Sequence, residues 1–243
     1  MGENIRIQPR DKELIQRIVD FNGLPGKELV DRFFNGSQYG YRRLKLLLDN
    51  DYLKSVFYYV PRKKGEKIIT QRISAIYYAT PKALREIDCT IDPRFVVPDA
   101  DKLDVSNLVG RLFARIPNLI SKRQAIEKYH LKNFMPITCV VEDGNPMFIY
   151  ILGNTIGRLE IGRIKGFIES GLFPHATHYI VSRTFHKRLF LPNVYFIPWL
   201  LAPEVLPNLA QDRNYYLNKI IKIAQETFPG IRLLSSPTPL IRA

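Results

Sequence analysis

Leu24-Pro25-Gly26-Lys27-Glu28-Leu29-Val30-Asp31-Arg32-Phe33-Phe34-Asn35-Gly36-Ser37-Gln38-Tyr39-Gly40-Tyr41-Arg42-Arg43-Leu44-Lys45-Leu46-Leu47-Leu48 is the stretch whose reading decides the fold. Leu24 to Phe34 reads as an amphipathic helix of about ten residues. Asn35-Gly36 forms a tight turn. Ser37 is a natural N-cap for a second helix, which Asp49-Asn50-Asp51-Tyr52-Leu53 ends. Two β-rich runs follow, Leu53 to Val60 and Lys67 to Ala79, joined by the basic turn Pro61-Arg62-Lys63-Lys64-Gly65-Glu66. Upstream, Asp11 is expected to cap a helix through about Asn22, with Leu14, Ile15, Ile18, Val19 and Phe21 as its apolar stripe. Helix, helix, turn, basic helix and basic hairpin in that order predict a winged helix-turn-helix. The common use of such a head is binding duplex DNA.

The second helix divides into two faces. Leu44, Leu47 and Leu48 recur at three- and four-residue spacing and are expected to bury. Ser37, Gln38, Tyr39, Tyr41, Arg42 and Lys45 are expected on the DNA side. Residues near the N-terminal end of such a helix reach base edges, and basic residues further along meet phosphates. Gln38 suits adenine and Arg42 suits guanine. Arg43 suits either task, or pairs with Asp49 or Asp31. Arg62, Lys63, Lys64, Lys67 and Arg72 of the hairpin complete the expected contact set. The plainer alternative is a solvated charged face on an ordinary helical domain. A hairpin tip this basic argues against it.

Charge agrees. The chain carries 36 Lys plus Arg against 23 Asp plus Glu, a formal net charge of +13. An excess of this size fits a polyanionic partner. From Ser37 to Arg72 there are nine basic and three acidic residues, so nearly half the excess sits in the second helix and the hairpin. Basic side chains on phosphates release counterions and make affinity salt-dependent. No basic amphipathic helix with exposed Trp or Phe and no lipidation motif favours a membrane surface instead. No apolar run is long enough to span a bilayer, and the first residues are too polar for a signal peptide. Cys89 and Cys139 are isolated and suit a reducing, cytoplasmic setting.

The 46% hydrophobic content of 243 residues supports real cores and argues against disorder. Three segments are expected: a DNA-binding head over 1–91, a linker over 92–104 marked by two prolines, and an α/β domain over 105–243. After the hairpin, Thr80-Pro81 starts a short helix to Asp88. In the last segment, Ser106 to Ile116 predicts a helix stopped by Pro117, and Ser121 caps another to about Tyr129. Pro136 to Glu142 and Pro146 to Leu152 predict strands joined by Asp143-Gly144-Asn145. Gly157 to Ser170 predicts a helix with Leu159, Ile161, Ile164 and Ile168 inward. His178 to Thr184 and Val194 to Leu200 predict strands. Glu204 to Thr227 predicts a long helix ended by Pro229-Gly230, and Ile231 to Leu234 a last short strand.

Leu29-Val30-Asp31-Arg32-Phe33-Phe34, Tyr41-Arg42-Arg43-Leu44-Lys45-Leu46-Leu47 and Tyr52-Leu53-Lys54-Ser55 resemble the replication-relaxation family of plasmids and other mobile elements. The resemblance covers roughly the first third well and the rest in outline. It implies a role in plasmid replication, DNA relaxation or mobilisation, and a second domain similar to a nuclease-like fold.

A nuclease of the restriction type needs an acidic residue before a strand, then an acidic residue and a lysine one apart within it, to hold a divalent metal. Asp143 stands before a strand, but Met147-Phe148-Ile149-Tyr150-Ile151-Leu152-Gly153 contains no Glu, Asp or Lys. Glu142, Asp143 and Glu160 do not make a site, so the second domain is expected to be catalytically empty, a degenerate relative of that fold. His175 and His178 have an HxxH spacing, but Pro174 and the β run argue against the helix that a metal would need. No metal site and no cofactor are expected. Arg183 with His186-Lys187-Arg188 reads as a basic loop. Tyrosines are scattered without a histidine cluster, which argues against a relaxase, and no Gly-rich phosphate loop occurs. The expected partners are double-stranded DNA, a second copy of the chain and a replication or transfer protein. Leu206, Leu209, Leu217, Ile220, Ile221 and Ile223 supply apolar surface for a core and a dimer interface. A nuclease or relaxase with an unseen site, and a protein-interaction module, are the alternatives.

Overall fold

The structure, a computed structural model, describes residues 5–57, 59–64, 67–72, 75–89, 100–142, 145–153, 157–183, 189, 191 and 193–209; for 59–64, 67–72 and 100–101 it describes the backbone alone. The chain is α/β in class, with helices and sheets in each of two compact units, Met1–Ala114 and Arg115–Ala243.

The first unit begins with α1 (Pro9–Asp20), whose Leu14, Ile15 and Ile18 are buried. Gln8, not Asp11, is the N-cap; Asp11 sits at the third helical position and accepts the Gln8 N–H at 2.7 Å. β1 (Leu24–Pro25) precedes α2 (Gly26–Phe34) and pairs antiparallel with β5 (Ile76–Ala79), Leu24 opposite Tyr77. The helix expected from Leu24 therefore starts two residues later. Proline disfavours a helical residue before it, which leaves Leu24 extended and Pro25 as an extended N-cap. α3 (Gln38–Asp49) follows, then β2 (Leu53–Val56), the hairpin β3 (Tyr59–Lys64) and β4 (Lys67–Arg72), then β5 and α4 (Pro81–Glu86). Each expected β run thus breaks in two. Its outer part makes the hairpin and its inner part joins a three-stranded sheet of order β1-β5-β2. Thr80 caps α4, accepting the Ala83 N–H at 3.3 Å.

α5 (Ala100–Arg115) moves the boundary. The expected linker, 92–104, runs into this helix, and the helix packs on the first unit rather than opening the second; residues 90–99 lie outside those described. Leu108, Val109, Leu112 and Phe113 form its buried stripe. The Phe113 ring lies 5.3 Å from that of Phe21 and 6.4 Å from that of Phe33. At Gly110 an added Cβ would fall 2.2 Å from Pro25 Cδ, so only glycine admits the approach of α5 to β1.

The second unit holds β6 (Leu119–Ser121), α6 (Lys122–Lys128), β7 (Cys139–Val141), β8 (Met147–Ile151), α7 (Arg158–Glu169), β9 (Thr177–Ser182), β10 (Val194–Pro198) and α8 (Ala202–Leu209). The strands form one mixed sheet in the order β10-β9-β8-β7-β6. β6, β7 and β8 run antiparallel in turn, and β8, β9 and β10 run parallel. A parallel step needs a crossover, and α7 supplies it between β8 and β9. Every residue of β9 is buried, as a strand covered on both faces requires. Ser121 caps α6 reciprocally: it accepts the Gln124 N–H at 3.2 Å, and Gln124 Oε1 accepts the Ser121 N–H at 3.0 Å.

One expectation changes in this unit, and β6 adds a strand to those expected. β6 has only three residues and no alternation, so the sequence offered no period to find it. Leu159 is 74% exposed. Five helical steps put it roughly 140° from buried Ile164, off the stripe. Of the long helix expected over 204–227, only the part to Leu209 lies among the described residues, where Leu206 and Leu209 are buried. The strand expected at 231–234 lies outside them.

His178 is buried in this core, 2.9 Å from the Tyr150 hydroxyl through Nδ1 and stacked on Phe148 at 5.4 Å. Burial lowers its pKa from 6.5 to about 4, so the ring is neutral at pH 7. The unfolded chain then binds the extra proton between these values. Stability from this group is complete above pH ~6.5 and is lost as pH falls through ~4, by about 3 kcal/mol in total. We expect the urea midpoint of the parent to fall more than that of His178→Phe between those pH values. Parallel pH profiles for the two would contradict this.

Candidate nucleic-acid interface

The exposed face of α3 is built by what holds the other face down. Asn35 closes α2 in the left-handed region (φ 51°) and Gly36 follows at φ 71°, which turns the chain sharply into α3. Ser37 stands at the N-cap with extended backbone, although its side chain makes no cap hydrogen bond. At Gly40 an added Cβ would meet Phe34 at 2.8 Å, so the glycine lets α3 close onto α2. Leu44 and Leu47 are fully buried below it.

Arg43 completes this seat and leaves the expected contact set. It is buried, and its guanidinium forks onto the buried carboxylate of Asp11. Nε donates to Oδ1 at 2.9 Å and Nη2 donates to Oδ2; Nη2 also donates to the Arg6 carbonyl at 2.7 Å. Neither Asp49 nor Asp31 is its partner here. The reason is helical geometry: Arg43 sits four positions before buried Leu47 and so shares the inward side, where its charge is met by α1. The pair ties α3 to α1 across 32 residues of sequence.

Ser37, Gln38, Tyr39, Tyr41, Arg42 and Lys45 remain exposed together on the outer face. Tyr39 is 50% and Tyr41 44% exposed. The Tyr39 ring meets Phe34 edge-on at 5.8 Å, which fixes its position beside the helix start. Arg10 lies exposed with its guanidinium 5.4 Å from the Phe34 ring, so α1 adds a cation to this edge. Sequence reading missed Arg10, because its partner Phe34 lies 24 residues away and no local pattern links them.

The hairpin supplies the second part. Its register sets Lys64 opposite Lys67, Lys63 opposite Ile68, Arg62 opposite Ile69 and Tyr59 opposite Arg72. Five expected contact residues therefore lie on one two-stranded ribbon, with Arg62, Lys63, Lys64 and Lys67 at its tip. With Arg43 neutralised, eight basic positions face three acidic ones between 37 and 72. The sum still favours a polyanion.

Among the described residues of the second unit, no set of acidic or metal-ligating side chains converges on one point. Glu142 accepts the Tyr129 hydroxyl at 3.0 Å and pairs with Lys128 at 2.6 Å. This tie is structural, and burial with the Glu142 charge pushes the Tyr129 hydroxyl up to about 12. Asp143 lies outside the described residues. β8 is buried apart from its first residue and carries no acid. His175 is exposed whereas His178 is buried in β9, so the HxxH spacing falls on no helix. Among the described residues, no group of three or more His, Cys, Asp or Glu could hold a metal ion, and no helix is long and apolar enough to cross a membrane. Arg183 lies 4.7 Å over the Trp199 ring, while 186–188 are outside the described residues. Comparison of the chain with protein-family models, with characterised proteins and with solved structures finds no match.

Proposed function

We propose that the first unit is a winged helix-turn-helix head that binds duplex DNA, with α3 as its reading helix and the β3–β4 hairpin as its wing. The observation that carries this reading is the outer face of α3, where Gln38, Tyr41, Arg42 and Lys45 stand exposed while Arg43, Leu44 and Leu47 anchor the helix from beneath. Gln38 and Arg42 read base edges; Lys45 and the wing cations Arg62, Lys63, Lys64, Lys67 and Arg72 grip phosphates. The protein serves replication, transfer or transcription control of a plasmid or mobile element, in the cytoplasm and without a cofactor. The motifs that resemble the replication-relaxation family support that setting.

The second unit joins two copies of the chain or recruits a replication or transfer partner. Two-fold pairs of such heads bind half-sites about one helical turn apart. Selection from a random duplex pool tests the reading: we expect enrichment of one short sequence, repeated with two-fold symmetry. A pool that stays random after several rounds at low salt would reject it. The second unit is also proposed to be non-catalytic, because β8 offers no carboxylate to hold magnesium against its hydration shell. Supercoiled plasmid incubated with the protein and magnesium or manganese is expected to stay intact. Metal-dependent nicking that disappears in Asp143→Asn would instead make the chain an enzyme.

A further inference from the structure

We propose that the second unit carries its own contact for single-stranded DNA, centred on Phe134 and separate from the duplex-binding face of the first unit. Phe134 is 54% exposed, although its neighbours Leu131 and Met135 pack onto the core of the unit. The loop is held in place by the Leu131 N–H on the Ile126 carbonyl at 2.9 Å and the Met135 N–H on the Lys132 carbonyl at 3.0 Å. The ring is thus presented by an anchored loop.

Cations from separate segments surround that ring. Lys132 Nζ lies 5.8 Å and the Arg163 guanidinium 5.9 Å from its centroid. Both distances are at the outer limit of a cation–π contact, and the ring keeps 54% of its surface exposed for a further partner. Lys122, at the start of α6, adjoins Arg163 and Glu160; burial and the Arg163 charge favour its neutral form, and Glu160 opposes them. Glu160 therefore offsets part of the charge, while Lys132 and Arg163 keep the surroundings of the ring basic. Lys165 of α7 is paired with Glu169 at 3.5 Å and adds little.

A basic surface around an exposed aromatic ring matches a chain of alternating phosphates and bases. Base–aromatic stacking is indifferent to sequence and works only where a base face is free, which a paired duplex does not offer. The carboxylates of an acidic polypeptide would use the cations but gain nothing from the face of the ring. Proteins that open or copy a duplex meet both forms of DNA, and this patch gives the chain a hold on the second.

Fluorescence anisotropy of a labelled oligothymidine against the full chain tests the proposal. Phe134→Ala and Phe134→Leu are expected to weaken binding about tenfold or more, while Phe134→Tyr, which keeps a stacking ring, binds like the parent. Arg163→Gln and Lys132→Gln weaken binding and flatten its salt dependence. None of these changes duplex affinity, and Arg42→Ala leaves oligothymidine affinity intact. Because Phe134 is exposed, melting temperatures stay at the parent value and loss of binding reads as loss of contact. Parental affinity in Phe134→Leu would overturn the proposal. Polyglutamate binding as tightly as oligothymidine, and lost in the same variants, would overturn it in favour of an acidic protein partner.

Discussion

Asp11→Ala lowers the stability of the first unit by about 3–5 kcal/mol, the usual cost of leaving one member of a buried ion pair alone. The carboxylate is 1% and the Arg43 side chain 8% exposed, so water cannot replace the lost partner. The Arg6 carbonyl would keep one hydrogen bond to the guanidinium but no compensating charge. Asp11 also accepts the Gln8 N–H, so the start of α1 frays as well. A loss of this size lowers the melting temperature by more than about 10 °C in a unit this small. The pair itself is not a large net source of stability, because desolvating both charges consumes most of what their attraction returns. Asp11→Leu combined with Arg43→Met should therefore recover much of the loss. Thermal melts of the single and double variants check both statements. A melt of Asp11→Ala within a degree or two of the parent would show that α3 is seated by its leucines alone.

Arg42→Ala is the matching experiment on the outer face. Arg42 is exposed one residue from Arg43, and the two arginines face opposite fates because a helix turns roughly 100° per residue. We expect Arg42→Ala to leave the melt unchanged and to cost about 1–3 kcal/mol at the selected duplex, with relaxed preference at one guanine. Competition between the selected duplex and single-base variants reads the preference directly. A uniform loss across all variants would move Arg42 from base reading to phosphate contact.

This contrast shows where sequence reading succeeds. α2, the Asn35-Gly36 turn and α3 are legible because apolar period, turn chemistry and cap agree at the same positions. Leu44 and Leu47 inside, and Gln38, Tyr41 and Arg42 outside, follow from helical spacing alone. Arg43 does not. Its partner lies 32 residues away, and local spacing offered only Asp31 and Asp49. A charged residue beside an inward leucine was the available signal. β1 and β6 escape for a related reason: strands of two or three residues exist by pairing, not by pattern. The head boundary shifts to 114 because α5 belongs where its apolar stripe finds a partner, and the sequence shows the stripe but not the partner. Phe134 is similar. It reads as one more apolar residue until the fold leaves it exposed between Lys132 and Arg163.

The most direct measurement of the duplex-binding claim is the salt dependence of affinity, for the parent and for Lys63→Ala, on the selected duplex and on an unrelated one. We expect log affinity to fall linearly with log salt with a slope on the order of −4 to −6, the response of about five to seven cations on phosphates. Lys63→Ala should weaken both duplexes alike and reduce the slope by about one. Absence of binding to either duplex at low salt, or a slope near zero, would contradict the claim that this basic head is a reader of DNA.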